Sequence, residues 1–175
     1  MRRHNGMRPQ DVAILLKICA LAEHPWQLAG LAAALRISIS EVSESLNRSQ
    51  LAGLIDFKKK RVNRQNLFDF LSHGLQYVFP VQPGALVRGI PTGHSHPFMK
   101  AQFASEMNYV WPDVKANEMG SQIDPLYPKQ VEAVIEDPTY YKLLAMADVL
   151  RVGKVREVKY ALEELHKLIL NEPAP

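Results

Sequence analysis

Apolar residues recur every three or four positions over most of the chain, the spacing of helices that lay one face on a core. In PQDVAILLKICALAEH the stripe is Val12, Leu15, Leu16, Cys19 and Ala22, with Pro9 suited to the first turn and Pro25 to the stop. QLAGLAAALR predicts a second, short helix with Leu28, Leu31, Ala32 and Leu35 on one side. ISIS breaks it. Ser40 is then the expected N-cap of EVSESLNRSQLAG, in which Val42, Leu46 and Ser49 face inward, Glu41 favours the helix start and Gly53 closes the end. A short extended stretch, LIDFKKKRV, follows, and NRQNLFDFLSHG reads as a fourth helix carrying Leu67, Phe68 and Leu71, stopped by Gly74.

The pattern then changes. VFPVQPGALVRGIPTGHSHPF is dense in proline and glycine, which predicts a loop or connector, because proline removes backbone donors and forbids helix. Beyond it, FASEMNYVWP and EMGSQIDPLYP predict two short strands of a hairpin around the polar turn DVKAN. PKQVEAVIED predicts a short helix. DPTYYKLLAMADVLRVG predicts a longer one, with Asp137 as cap, Pro138 in the first position and Gly153 at the end. KVREVKYALEELHKLIL closes the chain as an amphipathic helix with Val155, Val158, Ala161, Leu162, Leu165 and Ile169 on its apolar face. The expected class is mainly α with small β (α+β). Its divisions are 8–78, a connector 79–98, and a C-terminal region 99–175 with a short hairpin and two or three helices.

Composition fits an ordinary folded chain: 175 residues, 47% hydrophobic and 22% charged. Charge sharpens the picture. Residues 1–64 hold 11 Lys/Arg against 5 Asp/Glu, whereas residues 65–175 hold 10 against 13. A basic head on a mildly acidic remainder points to a polyanionic partner for the head. The single Cys19 allows no internal disulfide and lies within an apolar run, the setting of a small buried hydrophobe. No apolar run is long enough to cross a bilayer, and the basic opening leads into a helix without a small-residue cleavage site, so a cytoplasmic location is expected.

LAGLAAALRISISEVSESLNRSQLAGLI has what a helix-turn-helix needs. Ala29, Ala32 and Ala33 are small enough for close helix approach, Ile37 plugs the turn, and Ser40, Glu41, Ser43, Glu44, Asn47 and Arg48 face outward. LAAALRIS, EVSESL and AGLI resemble the helix-turn-helix of winged-helix transcription regulators, the MarR-like and GntR-like group, over residues 9 to about 64. Glu41 and Glu44 depart from that pattern by setting negative charge where a phosphate-rich groove would lie, and Ser49 stands where a core leucine is usual.

The resemblance implies a sequence-specific DNA-binding regulator, a repressor, with a recognition helix at 40–52 and a basic wing at 57–64. The DNA-contacting residues it implies are Ser38, Ser40, Ser43, Glu44, Asn47, Arg48, Lys58, Lys59, Lys60, Arg61 and Arg64. Each phosphate that these cations neutralise releases counterions. Tri-helical units of this kind also mediate protein contacts without DNA, and the acidic residues of the recognition helix favour that alternative.

Modules of this size usually read DNA as dimers, with half-sites about 34 Å apart. Leu143, Leu144, Leu150, Val158, Leu162, Leu165 and Ile169 are the expected dimer or partner seam. YYKLLAMADVLRVGKVREVKYALEEL, within residues 126–170, is similar to the tails of a bacterial group with winged-helix heads encoded beside nucleotidyltransferase-like toxins. That similarity implies an antitoxin-like repressor with a cognate toxin as partner.

Other signals carry less. His94 and His96 in GHSHPF lack a Cys or acidic cluster to complete a metal site and are expected to be solvated loop histidines. LVRGIPTG lacks the glycine spacing of a phosphate loop. Tyr140 and Tyr141 are expected to pack. Nothing resembles a nucleophile with a base and an orienting acid, so neither an enzyme nor a cofactor is expected.

Overall fold

The computed structural model describes residues 6–171. The N-terminal half begins with α1 (Pro9–Ala20), α2 (Leu28–Leu35) and α3 (Ile39–Leu51), followed by α4 (Arg64–His73) and the single turn α5 (Leu75–Val78). α1 starts on Pro9 as expected but ends well before Pro25, in a turn where Ala22 adopts φ 53°. From Asp11 to Cys19 every residue of α1 is buried. A helix enclosed on all sides carries more apolar residues than one stripe, which is why Ala13, Ile14 and Ile18 join the core as well.

α3 starts on Ser38, not Ser40. The Ser38 hydroxyl accepts from Glu41 N–H at 3.2 Å, and the Glu41 carboxylate accepts from Ser38 N–H at 2.9 Å, a reciprocal capping box. Val42, Leu46 and Ser49 point inward as expected, joined by Ser45. Gly53, at φ 75°, ends the helix: its N–H reaches Gln50 O and Leu54 N–H reaches Ser49 O, the paired bonds of a left-handed glycine terminus. Of the alanines expected between α2 and α3, Ala32 is buried while Ala29 and Ala33 face solvent.

The expected connector 79–98 contains a strand. β1 (Leu86–Thr92) runs through it, followed by a 3-10 turn at Gly93–Ser95 and the single turn α6 (Pro97–Lys100). β2 (Tyr109–Pro112) and β3 (Glu118–Gln122) form where two strands are expected, but not as a hairpin. Both pair antiparallel with β1 and parallel with each other, so the three strands close on themselves. β3 takes the first half of β1 and β2 the second, and Gly89 faces both Pro112 and Glu118. A Cβ on Gly89 would lie 2.0 Å from the Trp111 carbonyl oxygen, so the closure requires glycine there.

After the short α7 (Gln130–Ala133), α8 (Pro138–Val152) and α9 (Val155–Leu170) complete the chain. Asp137 caps α8 through Tyr140 N–H, Pro138 holds the first position and Gly153 the end, all as the sequence predicts. α8 is buried from Leu143 to Leu150 and packs on α1, α9 and β1, while α9 packs on α4 and α8. One hydrophobic core therefore spans both halves of the chain.

That packing corrects the expected dimer seam. Leu143, Leu144, Leu150, Leu165 and Ile169 fill the chain's own core, and Val158 and Leu162 are half-buried against it. Val155, expected on the apolar face of α9, is instead 86% exposed.

The sheet is tied to α8 by Asp148. Its buried carboxylate accepts from Thr92 Oγ1 at 2.8 Å, Trp111 Nε1 at 2.6 Å and Arg151 Nη1 at 2.9 Å. No helix of the described residues is long and apolar enough to cross a membrane.

Candidate nucleic-acid interface

α1, α2 and α3 set one face of α3 outward: Ser40, Glu44 and Asn47 are exposed and Ser43 is half-buried. The chain then turns back through residues 56–61, closed by a single antiparallel bridge between Ile55 and Val62. Asp56 shapes this basic loop. Its carboxylate accepts from the backbone N–H of Lys60 at 2.7 Å and of Arg61 at 3.0 Å, and its own N–H reaches Arg61 O. Those amide bonds, that of Arg61 above all, hold the Asp56 carboxyl below the usual range. Lys59 adopts φ 56° to make the turn.

The loop and α3 share one surface. Lys59 Nζ donates to the Asn47 side-chain oxygen, joining the cations to the exposed face of the helix. Lys58 and Arg61 are exposed, and Lys60 Nζ lies 4.7 Å from the ring centre of Trp26, in the turn between α1 and α2. Among the described residues none of these four side chains is ion-paired. Asp56 is the one carboxylate within the loop, so the loop carries a net positive charge at the surface.

Three of the expected contact residues are committed elsewhere. Arg48 is turned inward, donating from Nε and Nη2 to the two oxygens of the buried Asp11 at 2.8 and 2.7 Å. Arg64, the first residue of α4, donates to the Ile169 carbonyl at the end of α9, at 2.7 Å, where the open carbonyls of a helix terminus favour a cation. Ser38 is held in the capping box, its hydroxyl donating to Glu41 at 2.8 Å. The same box occupies Glu41, whose carboxyl is held below its usual range by the Ser38 amide. Its negative charge sits against the positive end of α3. Glu44 remains as the exposed acid on the outward face.

The histidines are not solvated. His94 is 6% exposed, packs at a tilt against Tyr109 and bonds the Met107 carbonyl through Nε2 at 2.7 Å, with Glu157 3.9 Å from Nδ1. His96 is 7% exposed, packs on Tyr141, and its Nδ1 accepts from Phe98 N–H. Burial, reinforced by Lys142, lowers its pKa to about 4. No cluster of three or more metal-competent side chains occurs among the described residues.

Sequence reasoning passes over Trp26 and Asp11. The first stands in HPWQ, where an aromatic beside a helix-breaking proline is the available signal; the second lies in the first turn of α1 and gives none. No family model matches the chain, and no characterised protein or solved structure matches it significantly.

Proposed function

We propose that the protein is a DNA-binding transcription regulator that sets α3 in the major groove as a recognition helix and lays the basic loop on the flanking backbone as a wing. What supports this most is the contact between Lys59 and Asn47, which makes the cations of the loop and the polar face of α3 one continuous surface. Asn47 and Ser43 are the base-reading candidates, because a short polar side chain near the middle of such a helix can reach base edges. Lys58, Lys59, Lys60 and Arg61 are the phosphate contacts. Arg48 and Arg64 position α3 and α4 and leave the contact set.

The test is anisotropy of the full-length protein against duplexes from its own promoter region and a scrambled duplex, over a range of salt. Changing Lys58, Lys59, Lys60 and Arg61 to Ala should weaken binding to both duplexes alike. It should also flatten the salt dependence by about 0.9 in log–log slope for each phosphate that is no longer neutralised. An unchanged affinity and slope would refute the wing assignment.

A second reading puts a protein partner, such as a cognate toxin, on the same face. It is favoured by Ile39, Leu51 and Phe57, which are 51%, 70% and 87% exposed at the ends of α3 and in the basic loop. Large exposed apolar side chains suit a protein surface better than a duplex. Absence of duplex binding at low salt, with a stable complex formed by a co-expressed neighbouring gene product, would decide for this reading.

A further inference from the structure

A groove of about 550 Å³ opens between the turn at residues 21–27 and the basic loop, outside the face that α3 presents. Ile18 and Ala22 line its apolar part, Trp26 lines it with an indole, and Lys60 and Arg61 bring cations to it, while Arg64, bonded to the Ile169 carbonyl, lines its edge. Glu23 is the one carboxylate among its lining residues. We propose that this groove binds a ligand carrying a planar heterocycle and a phosphate, the chemistry of a nucleotide.

Its size lies within the range of small-ligand sites. Its parts divide the work. An indole face stacks a heterocycle whatever the base, and a guanidinium grips a phosphate with paired N–H bonds. Lys60 links the two: its ammonium rests 4.7 Å from the Trp26 ring centre, on the face that a base would occupy. A stacked base displaces the ammonium, which then reaches the phosphate carried by that base. A neutral aromatic ligand would leave the cations unmet, and inorganic phosphate would leave the indole unused.

Two sources can supply this chemistry, a free nucleotide or an unpaired nucleotide of a single strand. The experiment separates them without duplex DNA, and Trp26, which lies outside the proposed duplex contacts, distinguishes binding in the groove from binding by the wing. Full-length protein is titrated with 5′-AMP, single-stranded tetrathymidylate, adenosine and inorganic phosphate, following tryptophan emission and heat. Trp111 is fully buried and bonded to Asp148, so quenching reports on Trp26.

Saturable binding of AMP below about 1 mM identifies a free nucleotide, whereas saturation by tetrathymidylate alone identifies a strand. In either case Trp26→Leu should weaken binding about tenfold by calorimetry, Trp26→Phe should retain most of it, and Lys60→Ala with Arg61→Ala should weaken it similarly. Binding as tight to adenosine or phosphate as to AMP overturns the proposal, and so does saturation by neither nucleotide probe. Equal affinity of Trp26→Leu and the wild type, at matched unfolding midpoints, also overturns it.

Discussion

Arg48, on α3, closes both oxygens of the Asp11 carboxylate on α1, with Nε 2.8 Å from Oδ2 and Nη2 2.7 Å from Oδ1. Asp11 Oδ2 also accepts from Arg8 N–H at 2.8 Å, so one fully buried carboxylate both caps α1 and fixes the angle at which α3 leaves it. Removing one partner of such a pair strands a buried charge. Arg48→Met should cost about 3 kcal/mol in urea unfolding. The double variant Asp11→Asn, Arg48→Met should cost less than that single one, since neither charge then remains. A single variant costing under about 1 kcal/mol would show the pair to be incidental.

These two residues also show where the sequence stops being legible. The helices are readable because their ends are punctuated locally: Asp137, Pro138 and Gly153 bracket α8 within one stretch of chain. The true start of α3 is present too, in the spacing of Ser38 and Glu41, a capping box three residues apart. Arg48 and Arg64 look like surface cations in the sequence because their partners lie 37 and 105 residues away. β1 is hidden differently. Gly89 and Pro91 break strand alternation, yet Gly89 stands where the strands close too tightly for a Cβ, a constraint set by Trp111. The stripe of α9 has the pattern of a half-exposed seam, but it packs on α4 and α8 of the same chain.

His96 makes stability depend on pH with a defined sign. Its folded pKa is lowered to about 4 from an ordinary 6.5, by burial first and Lys142 second. Between those values the unfolded chain takes up a proton that the folded one refuses. The stability His96 contributes is therefore complete above about pH 6.5 and is lost as pH falls toward 4, up to about 3 kcal/mol. His96→Asn keeps a side-chain acceptor for Phe98 N–H and does not titrate. Urea midpoints measured from pH 7 to 4.5 should fall less for this variant than for the wild type. Parallel curves would contradict the assignment.

Cys19 should be inert while the protein is folded. Burial pushes its thiol up to about 11, only partly offset by Arg64, so almost none is thiolate near neutrality. Iodoacetamide at pH 8 should leave the native protein unmodified by mass and alkylate it stoichiometrically in urea. Rapid labelling without denaturant would mean that α1 opens toward the groove side, where Arg64 lies.

Asp56 separates loop shape from charge in the proposed DNA contact. Counting charge alone, any neutral substitution there should tighten binding, since an acid leaves the middle of a cationic loop. The geometry gives opposite signs for two variants. Asp56→Ala removes the acceptor that gathers the Lys60 and Arg61 amides at 2.7 and 3.0 Å, and with it the turn that presents the cations together. It should weaken duplex binding about fivefold. Asp56→Asn keeps an oxygen for those amides and loses only the charge, so its affinity should match or exceed the wild type at low salt. If both variants tighten binding equally in anisotropy titrations, the loop acts as a pool of charge, and its fold has no part in how it meets the duplex.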